Sequence, residues 1–106
     1  MSALTAAYRV RTQRDSVKQI TAALTHAAKA GLVPPSWQIG IDGFAGDVSS
    51  LGNDEAAVRA NFTAWAKYFG ASVWPERTAD GMTKLSAHNQ QKRVAIRATI
   101  FHPEEV

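Results

Sequence analysis

From Thr83 to Phe101 the chain alternates in steps of two, and this constrains the fold more than any other stretch. Leu85, Ala87, Val94, Ile96, Ala98 and Ile100 make one apolar set, and Lys84, His88, Arg93 and Arg97 stand in the interleaved set. A period of two is what a β-strand with one dry and one wet face requires. The stretch therefore reads as a hairpin with strands at 83–89 and 93–101. With Gln90-Gln91 as a two-residue loop, Leu85 faces Ile96 and Ala87 faces Val94 on the buried side. On the other side Lys84 faces Arg97 and His88 faces Arg93. Like charges placed opposite one another cost on the order of 0.2–1 kcal/mol per pair, and salt screens that cost. A cationic wet face on this hairpin is thus tolerable, and it is the strongest functional lead in the sequence.

Two stretches carry helical periodicity instead. Residues 15–30 place Val17, Ile20, Leu24, Ala27 and Ala28 on one stripe, with Asp15 suited to an N-cap, and Gly31 with Pro34-Pro35 ending the helix. Residues 54–69 place Val58, Phe62, Trp65 and Phe69 on one face, between Asn53 as an N-cap and Gly70 as a stop. Residues 37–51 read as two short strands around the Asp42-Gly43 turn, with Trp37, Ile39 and Ile41 on the buried side. "SVWPER", 72–77, reads as a third strand that Pro75 confines to an edge or interrupts. Residues 1–12, with "YRVRT" alternating, are expected to be a short edge strand or a flexible arm.

The element order is α-β-β-α-β-β-β. Polar alternation in the strands argues against a parallel sheet covered on both faces. The expected fold is α+β: a single two-layer domain over 1–106, with two helices on one face of a mainly antiparallel sheet.

The chain has 106 residues, a net charge of +3 and no cysteine. One domain with one modest core follows from the length. Disulfides, thiolate metal sites and cysteine nucleophiles are excluded. The positive charge collects near the N-terminus, where Arg9, Arg11, Arg14, Lys18 and Lys29 face Asp15 alone in residues 1–36. The first residues carry no long apolar stretch, so neither a signal peptide nor a membrane span is expected, and the expected location is the cytoplasm.

Other chemistry is weakly signalled. The glycines at 40, 43 and 46 fit neither a dinucleotide fingerprint nor a phosphate loop. Asp42 and Asp47 lack the spacing of a calcium loop. His26, His88 and His102 make no metal-ligand pattern, and no serine sits in a nucleophile elbow. No catalytic residue, metal or cofactor is expected. Lys84, His88, Arg93 and Arg97, with Trp74 on a neighbouring strand, remain as the candidate partner-binding set. Cations beside an exposed aromatic suit either an acidic protein surface or single-stranded nucleic acid.

The stretches "PPSWQIGIDGFAGDVSSL", "FTAWAKYFGASV" and "RVAIRATI" together resemble a group of short proteins of actinobacteria and their phages and plasmids. The resemblance implies a mobile-element or phage origin and an accessory role in the cytoplasm, and it brings no catalytic residues. The expectation is a non-enzymatic module that binds a host or self protein through the cationic sheet face. The alternative is a nucleic-acid-binding module using the same face, with Arg9, Arg11 and Arg14 as a basic arm. An edge strand with a wet face also allows a homodimer.

Overall fold

The alternation after Thr83 becomes the centre of the molecule. In the computed structural model, which describes residues 3–49 and 54–102, two eight-residue strands pair antiparallel: β5 (Met82–Asn89) and β6 (Val94–Phe101). Before them come α1 (Ala3–Ala30), β1 (Ser36–Ile39), β2 (Phe44–Asp47), α2 (Glu55–Phe69), β3 (Ser72–Val73) and β4 (Arg77–Ala79). The sheet order is β1-β2-β6-β5-β3, with β4 also pairing β5. Only β2–β6 is parallel. The fold is the expected α+β architecture, with the third strand split in two by Trp74–Glu76 around Pro75, whose ring nitrogen has no hydrogen to donate.

One hydrophobic cluster joins both helices to one face of the sheet. Leu85, Ala87, Val94, Ile96, Ala98 and Ile100 meet Val58, Phe62, Trp65 and Phe69 of α2 and Ala23 and Ala27 of α1. Trp65 is the hub: fully buried, it donates its indole N–H to Val33 O at 3.0 Å and packs edge-on against Trp37 at 5.9 Å. Asp54, not Asn53, caps α2, accepting from Ala56 N–H at 3.2 Å. Asn53 lies outside the described residues, as do Ser50 and Leu51 of the expected second strand, which instead runs Phe44–Asp47. Of the three residues expected on the buried side, only Trp37 is partly buried; Ile39 and Ile41 are exposed, Ile41 in the turn.

Residues 3–12 are helical, neither strand nor arm. Ala, Leu and Arg are strong helix formers, and no breaker separates them from the periodic stretch that follows. Asp15 is therefore mid-helix, where its carboxylate accepts from Gln19 Nε2 at 2.9 Å. The inward stripe of α1 also differs from the expected one. Thr12, Ser16, Ala23 and Ala27 are buried, while Val17 and Leu24 are exposed. The bulky side chains lie on α2, where Trp65 and Tyr68 meet His26 of α1 at 6.0 and 4.3 Å. Small residues on α1 leave them room.

The hairpin register is shifted by two from the simple expectation. Leu85 pairs with Ala98, Ala87 with Ile96, Ser86 with Arg97 and Lys84 with Thr99. The loop is Gln90–Arg93, four residues long, and Arg93 closes it at φ +56°. A shift of two preserves which side chains face inward, and it removes the like-charge pairs. It also takes Arg93 off the alternation. Its guanidinium turns to α1, donating to Tyr8 Oη at 2.6 Å and Thr12 Oγ1 at 3.2 Å, with its central carbon 5.2 Å from the Tyr8 ring centre. Gly43 admits this loop, since a Cβ there would lie 2.2 Å from Arg93 O.

Candidate functional site: the uncovered sheet face

The face of the sheet away from the helices carries the side chains that alternate outward from β5 and β6: Lys84, Ser86 and His88 against Arg97, Thr99 and Phe101. Trp74 donates its backbone N–H to Ser86 O at 2.9 Å, which brings the indole onto this face beside β5. The ring lies on His88 at a centroid distance of 4.1 Å, tilted by 31°. Trp74 is half exposed.

This stack is a wall shared by two hollows. One, of about 520 Å³, runs over Trp74, Pro75, Arg77, Lys84, Ser86 and Arg97. The other, of about 410 Å³, lies towards the Gln90–Gln91 end of the hairpin and Gly70. Arg77 joins the first hollow because β4 pairs it with Lys84. Among the described residues none of Arg77, Lys84 and Arg97 is held in an ion pair. Glu76, beside Arg77, is turned away: both its carboxylate oxygens accept from Arg59 of α2, at 2.8 and 3.1 Å, and this holds its carboxyl below the usual range. Asp47 lines the rim, its Oδ1 accepting from Ser49 N–H at 2.7 Å.

His88 contributes a ring rather than a charge. Burial lowers its imidazole below the ordinary 6.5, and Arg97 adds to the shift. A neutral imidazole under an indole is a flat, uncharged support. Of the candidate set, Trp74, Lys84, His88 and Arg97 come together, while Arg93 is drawn to the opposite side by α1. Arg77 was missed in the sequence. Its signal was the period-two step from Arg77 across an Asp80-Gly81 turn, both residues at positive φ, to Lys84.

A hydroxyl–imidazole–carboxylate chain does exist elsewhere. Thr83 Oγ1 lies 2.7 Å from His102 Nε2, and His102 Nδ1 lies 3.7 Å from Glu55. Thr83 is buried and also hydrogen-bonded to Thr78. The chain therefore fastens the end of β6 to β4 and α2 and offers no accessible nucleophile. Among the described residues no group of three or more His, Asp and Glu is placed to hold a metal, and no helix is long and apolar enough to cross a membrane.

Fold and site together define a two-layer α+β domain with one uncovered face, aromatic at one side and cationic across it. Searches against known protein families, curated proteins and solved structures find no match.

Proposed function

We infer that this is a small interaction module, phage- or mobile-element-encoded, that binds an acidic segment of a partner protein in the cytoplasm through its uncovered sheet face. One observation carries the reading: Arg77, Lys84 and Arg97 converge on a hollow walled by a half-exposed tryptophan, with Asp47 alone as an acid on its rim and no ion pair holding any of the three among the described residues. Unpaired cations are already solvated, and an acidic segment replaces that water while the indole supplies apolar contact. The test is capture of a partner by tagged protein in actinobacterial cells, followed by binding between the two purified proteins. Arg97→Glu with Lys84→Glu is expected to lose the complex, and retention of full affinity by that variant overturns the reading.

The Trp74–His88 stack favours a second reading, single-stranded nucleic acid, since every base offers a π-face to an indole flanked by phosphate-binding cations. Quenching of tryptophan fluorescence by a short oligothymidylate, weakening steeply as salt rises, supports it. No quenching at low salt removes it.

A further inference from the structure

We propose that the outer face of α1 is a docking seam for an acidic amphipathic helix of a partner protein. Val10, Val17 and Leu24 are 49, 51 and 45% exposed, although each is a large apolar side chain on a well-formed helix. They are spaced by seven, so they fall on one line about 21 Å long. Ala6, Thr21 and Ala28 lie on the same face, exposed and small enough to let a second helix approach closely.

This seam is separate from the face that α1 turns inward, which runs through Thr12, Ser16, Ala23 and Ala27. Along one flank it is positive. Arg11 and Lys18 follow Val10 and Val17 by one residue, Arg14 follows Val10 by four, and all three are exposed. Asp15, the one acid of α1, is engaged by Gln19.

These features select the occupant. A line of one large apolar residue per two turns, bordered by the small Ala6, Thr21 and Ala28, is as narrow as the contact one helix makes with another. A lipid surface asks for a broad apolar face with aromatic residues, and this one has neither. A second copy would bring another strip of Arg and Lys against the first. An acidic helix gains both the seam contact and the charge complement. The inference does not rest on the reading of the sheet face, which lies on the other side of the sheet from the helices.

The test uses the full chain, isotopically labelled, titrated with an acidic heptad peptide bearing Leu at the seam positions and Glu on the flanks. Shift changes are expected along the outer face of residues 6–28. Val17→Asp and the pair Arg14→Glu with Lys18→Glu are each expected to weaken binding by about tenfold or more, with the unbound spectrum otherwise retained because these side chains are exposed. The proposal is overturned by no binding, or by equal binding of the same peptide with Lys in place of Glu. It is equally overturned by changes centred on Trp74 and Arg97, by self-association that Val17→Asp abolishes, or by binding to phosphatidylglycerol vesicles without binding to the peptide.

Discussion

The indole of Trp74 rests on the imidazole of His88, 4.1 Å between centroids, and each ring conditions the other. The indole keeps water from the imidazole, and the imidazole holds the indole flat against the sheet. Because desolvation is the larger cause of the lowered His88 pKa, Trp74→Ala is expected to raise it toward 6.5, read from the ring protons in an NMR titration. An unchanged value would mean that groups other than Trp74 bury the imidazole.

The same shift makes stability depend on pH. The native state holds His88 neutral while the unfolded chain binds a proton near pH 6.5, so the contribution is present above that pH and is lost as pH falls through the native value. The midpoint of thermal unfolding is expected to drop on acidification across this range, and less steeply in His88→Gln. Identical slopes for the two proteins would refute the assignment.

Arg93 and Arg97 are expected to separate cleanly in function. Arg93→Ala removes the bonds to Tyr8 and Thr12 and should speed hydrogen exchange in the first turns of α1, leaving partner binding at the sheet face intact. Arg97→Glu should do the reverse. If Arg93→Ala abolishes partner binding while exchange in α1 stays slow, the division is wrong.

Gly43→Ala forces a methyl group into Arg93 O, and neither backbone can give way without disturbing the Phe44–Arg93 hydrogen bond at 3.0 Å. The expected loss is about 1–3 kcal/mol in urea unfolding. A neutral result would mean that the loop has room to move.

Trp65→Phe keeps a ring in the core but leaves a void and removes one of two donors to Val33 O, Asn61 Nδ2 at 3.2 Å being the other. A loss of about 1–3 kcal/mol is expected from the missing atoms and the lost hydrogen bond. Amides around Leu32 and Val33 should exchange faster, which distinguishes the lost bond from simple loss of volume.

Much of this molecule could be read from residue order alone, and the failures have specific causes. The wet and dry sides of β5 and β6 were legible because a register shift of two leaves facing unchanged. Arg93 was not legible, because a four-residue loop ending at positive φ breaks the alternation at its last step. The helices were visible from their periodicity. The inward stripe of α1 was misassigned because Val17 and Leu24 are more apolar than Ala23 and Ala27, whereas packing against Trp65 and Tyr68 rewards small side chains. Of the site, Trp74 and Lys84 announced themselves, and Arg77 entered only through a pairing that depends on the tight Asp80-Gly81 turn.

β6 is the last strand among the described residues yet lies between β2 and β5. While the chain is being synthesised, the β1–β2 pair has no neighbour to join and α2 has only half a surface to cover. Joining the β1–β2 pair to β5 requires residues 94–101, so a chain cut before them would leave both edges unpaired. One strand thus ties the two halves of the sheet together, meeting β5 across a four-residue loop and β2 across a much longer stretch of chain.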